Sequence, residues 1–232
     1  MSAKSPIMLL LGFGPNVGHH VSKAFAAKGY IVARASRNMK EEESTATQIN
    51  IAIDLSNPES VAGVFSKLKD THGIPSVVIY NAAAGIPPND EKNPLSIPLA
   101  NFVRDLNINT TSAFAAAQQA VLGFAQLPST ESKTFIFTGN ILNTTTIASL
   151  FNSGVGKSAT AHIIQSAATA YKDRGYKFYY ADERNADGSP AYHKIDGEAH
   201  GEFYTHLAEG KSQGPWQQTF VKGLGYRHFP SA

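Results

Sequence analysis

The run Ile7-Met8-Leu9-Leu10-Leu11, followed by Gly12-Phe13-Gly14-Pro15-Asn16-Val17-Gly18, decides how the rest of the chain is read. Five apolar residues in a row are too few for a membrane span or the core of a secretory leader, and they suit a strand buried on both faces. Glycines at 12, 14 and 18 then break the run, and a helical pattern begins at Val17. A strand that turns sharply into a helix leaves unpaired N–H groups pointing out over bare backbone, the arrangement that receives a pyrophosphate. Gly12, Gly14, Asn16, Val17 and Gly18 are therefore the expected phosphate-binding residues of a dinucleotide site.

Working outward, strand-like apolar runs at 31–35, 49–55, 76–80, 134–138 and 176–181 alternate with helix-like stretches at 17–28, 58–71, 99–126 and 154–173. Proline and glycine punctuate the gaps, as in Gly73-Ile74-Pro75 and Leu127-Pro128-Ser129. The rhythm predicts an α/β chain with a Rossmann-type, doubly wound parallel sheet in a single domain. After Ala181 the pattern changes. A tight turn at Asn185-Ala186-Asp187-Gly188, a helix at 198–209 and a strand at 217–222 predict a C-terminal cap and last strand over residues 182–232.

A chain of 232 residues can remove roughly 70% of its extended surface from water, enough for one full core. With 42% hydrophobic and 16% charged residues, the composition excludes a disordered chain. The net charge is +2 and no block of Lys and Arg stands out, so nothing supplies the basic stripe that a nucleic acid requires. The absence of cysteine excludes disulfides and thiolate catalysis. These features lead to the expectation of a cytoplasmic protein with a small-molecule substrate and neither nucleic acid nor membrane as partner.

The end of the second strand bears on which dinucleotide is preferred. An acidic side chain there bonds the ribose 2′-hydroxyl, whereas a cation accommodates a 2′-phosphate. The sequence reads Arg34-Ala35-Ser36-Arg37-Asn38 with no acid before Glu41. Arg37, with Ser36 beside it, makes NADP(H) the favoured cofactor over NAD(H).

Several of these motifs, in this order, resemble the short-chain dehydrogenase/reductase family over residues 7–181. The turn is similar to that family's Gly-x-x-x-Gly-x-Gly, with Gly12 and Gly18 in the outer places and Asn16 in the middle one. Asp54-Leu55 resembles the acidic pair that holds the adenine, and Asn81-Ala82-Ala83-Ala84-Gly85 resembles the Asn-Asn-Ala-Gly strand end beside the cofactor. Asn109 is similar to the helix asparagine that supports a proton-relay water. The resemblance implies hydride transfer between a nicotinamide and a carbonyl or alcohol, assisted by a serine and a Tyr-x-x-x-Lys pair. Lys157 fits the lysine, which holds the ribose, but Ser153 stands where the tyrosine belongs, and no tyrosine occurs between Tyr80 and Tyr171. The family's spacing puts Asn140 at the serine position, with Thr138 as the other candidate. The family also implies a homodimer or homotetramer, packed through the helices at 99–126 and 154–173.

A serine hydroxyl is far too weak an acid to replace a phenol. Asn109, Asn140, Ser153 and Lys157 are accordingly the expected catalytic residues, with Asn140 and Ser153 acting as hydrogen-bond donors to the substrate oxygen. Such donors serve a carbonyl, quinone or conjugated substrate that stabilises its own developing charge. Two further functions fit the same residues: a catalytically silent NADP(H)-binding sensor or scaffold, and a non-redox cyclase or isomerase on the same fold. Histidines 19, 20, 193, 200 and 206 show no metal-ligand spacing and read as surface or capping residues. Tyr192 or Tyr204 could supply the missing phenol. Gly156-Lys157-Ser158 is no triphosphate loop, because that motif requires a glycine where Phe151 stands.

Overall fold

The computed structural model describes residues 5–90 and 92–229. Its strands are β1 (Ile7–Leu11), β2 (Ile31–Ser36), β3 (Gln48–Ala52), β4 (Val77–Tyr80), β5 (Thr134–Thr138), β6 (Lys177–Arg184), β7 (Gln217–Val221) and β8 (Gly225–Tyr226). They form one sheet in the order β3-β2-β1-β4-β5-β6-β7-β8. All neighbours are parallel except β7 and β8, which turn back on each other around Gly223. The order reverses direction between β1 and β4, so a crevice opens at the carboxyl ends of these strands, where α/β folds hold ligands.

The helices α1 (Val17–Ala27), α2 (Ser60–Thr71), α3 (Leu99–Leu106), α4 (Ser112–Phe124), α5 (Phe151–Ala170) and α6 (Gly197–Glu209) cover both faces. Alternate strand side chains feed two cores. Leu9, Leu11, Val78, Tyr80, Phe135 and Phe137 pack beneath α2, α4 and α5. Met8, Leu10, Ile79, Ile136 and Ala181 pack beneath α1 and α6. The Val77–Tyr80 and Ile7–Leu11 runs are buried at every position, which explains their unbroken apolar sequence.

Three local differences from the sequence expectations concern the site. The single helix expected at 99–126 is divided by one π-helical turn, Asn107–Thr111, whose Asn109 is 1% exposed. The strand expected to end at Ala181 continues through Asp182, Glu183 and Arg184, paired with Thr219, Phe220 and Val221. The segment after it supplies two strands, β7 and β8, where one was expected. Its helix α6 packs along α1 in the ordinary outer layer, because Gly201 lets the two backbones approach and Ala199, Phe203, Tyr204 and Leu207 face the core. Residues 230–232 of that segment lie outside the described residues.

Candidate functional site

The turn after β1 is fixed by its neighbours. Gly12 has φ +92, and a Cβ there would collide with the backbone of Ala82. Asn81 braces it from β4, donating its backbone N–H to Leu11 O at 2.8 Å and Nδ2 to Gly12 O at 2.9 Å. Gly14 differs: a Cβ placed on it meets nothing within 4 Å. No side chain caps the start of α1, so the N-terminal N–H groups of Val17 and Gly18 keep their partial positive charge. Asn16, at the N-cap, spends its amide elsewhere. It donates Nδ2 to Ile195 O at 2.9 Å and accepts from Gly197 N at 3.1 Å, tying the turn to the start of α6.

Two cavities meet at this turn, sharing Gly14, Asn81 and Ala83. One, of about 690 Å³, runs over the ends of β1–β3 and is lined by Ser36, Arg37, Asp54, Leu55 and Arg104. The Asp54 carboxyl sits below its ordinary range because the Ser56 backbone N–H bonds it, with Arg37 and Arg104 adding smaller attractions. Arg104 is paired with Asp105 at 2.7 Å, whereas Arg37 makes no ion pair with any described residue and lies exposed at the rim.

The other cavity, of about 550 Å³, opens over the ends of β5 and β6 beneath the loop at 190–195. Asn140 and Lys157 face it. Asn140 Oδ1 accepts from Leu142 N at 3.0 Å, and Tyr180 Oη clamps its backbone from below, leaving Nδ2 with no partner among the described residues. Lys157 is 4% exposed; Nζ donates to Thr138 O at 2.8 Å and lies over the Phe137 ring. Burial lowers its ammonium to about 8, against the attraction of Asp182. Asp182 itself is 1% exposed, with Oδ2 held by Arg184 at 2.5 Å and Oδ1 without a partner among the described residues.

Asn109 and Ser153 do not line either cavity. Asn109 accepts from Ala84 N at 3.0 Å and donates to Ala84 O at 2.6 Å, so its amide holds the strand-end segment that separates the cavities. The Ser153 hydroxyl is directed at the same carbonyl, at 3.4 Å. Of the two tyrosines considered as substitute phenols, Tyr192 lines the cavity at its mouth, half exposed and with φ 48. Tyr204 is fully buried in α6, and its hydroxyl donates to Thr138 Oγ1 at 2.9 Å.

His200 is neither a surface nor a capping residue. It is 2% exposed, lines the second cavity, and lies 3.5 Å from Glu183 Oε2, another cavity residue. Spacing against His206 gave no hint of this, because the partner of His200 comes from a strand 17 positions earlier. Asp182 and Glu183 were missed as well, since charged residues directly after an apolar run read as the start of a loop.

The enoyl-(acyl carrier protein) reductase family profile matches residues 14–180. The short chain dehydrogenase/reductase dmxR12 of Cryptosporiopsis sp. (strain 8999) is 45% identical over 237 residues, covering 98% of this chain and 96% of that protein. A metagenomic short-chain oxidoreductase, solved in complex with NADP, superposes with a TM-score of 0.79 at 14% identity over 97% of this chain and 100% of that one. An oxidoreductase of the same family from Brucella ovis, in complex with a partially ordered NAD, gives 0.73 at 15% over 93% and 99%. At such identities the structural likeness is one of fold.

Proposed function

The chain belongs to the short-chain dehydrogenase/reductase family, and we propose that it is an NADP(H)-dependent oxidoreductase acting on a small or medium carbonyl, quinone or conjugated substrate. The observation that carries this reading is the open backbone at Gly14, placed where two cavities meet, one rimmed by an unpaired arginine and the other by a buried lysine. A pyrophosphate fits that cradle, since no protein atom fills the space a side chain would take. Gly12, Gly14, Val17 and Gly18 would hold it. Leu55, Asp54 and Ala82 would border the adenosine half, and Asn16 and Asn81 would fix the turn. NADP-bound and NAD-bound relatives share this fold, so the preference rests on Arg37.

The bound nicotinamide would supply or accept a hydride. Lys157 then holds the ribose from its buried post, and its charge favours a developing negative oxygen in the same cavity. Asn140 offers Nδ2 as a hydrogen-bond donor to the substrate oxygen. Asn109 and Ser153 keep the Ala84 peptide in place between the two half-sites. No phenol stands four residues before Lys157, so donors of this kind best serve substrates that spread charge over a conjugated system. This also favours the competing reading of a silent NADP(H)-binding protein, which predicts tight binding without turnover.

Turnover separates the two. NADPH oxidation in the presence of diacetyl, menadione or cyclohexenone is the expected result, and binding of NADPH with no oxidation by any of the three would favour the silent protein. For cofactor choice, wild-type protein should bind NADPH at least about tenfold more tightly than NADH, and Arg37→Ala should erase the difference, one charge-assisted phosphate contact being worth roughly 1.5–3 kcal/mol. Equal affinities in the wild type by fluorescence titration would remove the NADP(H) assignment.

A homodimer through α4 and α5 follows from the same family reading. Phe114 and Leu122 of α4 are 49% and 55% exposed, and a second copy packed on α4 would cover them. Sedimentation at micromolar concentration should give a dimer, and Phe114→Glu with Leu122→Glu should give a monomer. A wild-type monomer would refute the idea.

A further inference from the structure

The strand β6 carries Asp182, Glu183 and Arg184 in succession, all less than 9% exposed. Side chains alternate across a strand, so these three divide between its faces. Asp182 and Arg184 share one face and pair with each other. Glu183 points to the other, toward α6, where no arginine or lysine among the described residues bonds it. Its Oε2 accepts the Asp196 backbone N–H at 2.8 Å and lies 3.5 Å from His200 Nδ1. His200 Nδ1 is also 2.8 Å from Asp196 O, which can only accept, so Nδ1 carries a proton. Burial lowers the His200 imidazole, against the opposing pull of Asp196, and so favours its neutral form. Glu183 and His200 both line the cavity that holds Asn140 and Lys157.

We propose that Glu183 is the general acid and base of this enzyme, in the role its relatives give to a phenol, and that His200 is a positioning residue behind it. The inference rests on the oxidoreductase reading given above and names the proton donor that this reading lacks. In reduction, hydride adds to the carbonyl carbon, the C=O π pair moves to oxygen, and that oxygen takes the proton of the Glu183 carboxyl. The carboxylate left behind regains a proton from water at the cavity mouth. In oxidation the carboxylate takes the hydroxyl proton as the hydride leaves.

Three other candidates are less suited to this. The Asn140 amide does not ionise, the Tyr204 hydroxyl is buried behind the cavity lining and committed to Thr138, and Ser153 faces away. Glu183 is suited to exchange protons near neutrality, since burial pushes its carboxyl up to about 7. The charges around it are Asp182 and Arg184 on its own strand, Lys157 from α5 and Lys222 beyond β7. From the α6 side come Asp196, His200 and the neutral Tyr204. The Asp196 backbone N–H opposes burial most, the Asp196 carboxylate raises the carboxyl again, and Lys222 lowers it against a smaller push from Asp182.

The test follows kcat for menadione and cyclohexenone with saturating NADPH between about pH 6 and 9, in the wild type, Glu183→Gln, Glu183→Asp and His200→Asn. Wild-type kcat should fall up to tenfold per pH unit above about 7, as the acid form is lost. Glu183→Gln should lower kcat by about 10²-fold or more while the NADPH dissociation constant stays within about twofold. Glu183→Asp should restore part of the rate, and His200→Asn should shift the pH limb with a smaller loss. An active Glu183→Gln enzyme, or a wild-type kcat that is flat across the range, overturns the proposal. The second measurement stands even if Glu183→Gln fails to fold. A wild type that binds NADPH yet reduces neither probe overturns the oxidoreductase reading and this inference with it, an outcome distinct from activity that survives without Glu183.

Discussion

A Gly14→Val variant should fold as the wild type does and bind NADPH about 100-fold more weakly, a loss of about 2.8 kcal/mol at 1.4 kcal/mol per tenfold. The choice among the three glycines of the turn matters. At Gly12 the backbone is left-handed and a Cβ would strike Ala82, so a substitution there disturbs the fold before it tests the ligand. At Gly18 a Cβ would come 3.1 Å from Phe13 Cα, close enough to move the start of α1. Gly14 has no positive φ, and its missing side chain would meet no protein atom, so valine costs the folded chain little. What valine does occupy is the space between the two cavities, where bare N–H groups must approach a pyrophosphate. A thermal melt matching the wild type together with lost NADPH fluorescence enhancement is the expected pair of results. Unchanged affinity would place the phosphates elsewhere.

That variant could be selected only with the fold in hand, which shows where the sequence was informative. The order of strands and helices was legible because a parallel sheet covered on both faces demands continuous apolar strands, and Ile7–Leu11, Val77–Tyr80 and the Phe135-Ile136-Phe137 centre of β5 are such runs. The glycine turn was legible because its backbone geometry has few other solutions. The chemical half of the site was not. Asp182, Glu183 and Arg184 belong to a buried strand through tertiary pairing with each other, Asp196 and His200, and no periodicity records such pairing. Ser153 and Asn109 occupy recognisable positions in the chain, yet both spend their polar atoms on Ala84. Position in a motif says where the Cα lies. What the side chain bonds depends on neighbours 25 and 69 residues away in sequence.

Lys157→Met is the variant in which stability and function should part most widely. A lysine whose folded-state value is about 8, against 10.5 unperturbed, is buried at a cost to the charged form. The sign follows directly. Between about pH 8 and 10.5 the unfolded chain holds the proton that the folded chain has lost, so wild-type stability should rise with pH in that window. At pH 7 the same difference is a penalty, on the order of 3 kcal/mol at 1.36 kcal/mol per pKa unit. Methionine fills much of the same apolar tunnel beside Phe137 without a charge. Thr138 O then loses a donor, at about 1 kcal/mol, while Asp182 keeps Arg184. The variant should therefore melt no lower than the wild type at pH 7, and the rise in stability above pH 8 should shrink to the share of Lys177, which burial also lowers to about 8. Function should go the other way. Without a cation to hold the ribose and favour charge on the substrate oxygen, turnover should fall by about 10²-fold or more. In the wild type NADPH affinity should decline above about pH 8 as Lys157 loses its proton, by at most tenfold per unit, and in Lys157→Met it should not respond to pH there. Melting curves and NADPH titrations across the same pH series read both effects. A variant with lower stability at pH 7 and unaltered NADPH affinity would show that Lys157 supports the fold and leaves the cofactor to other groups.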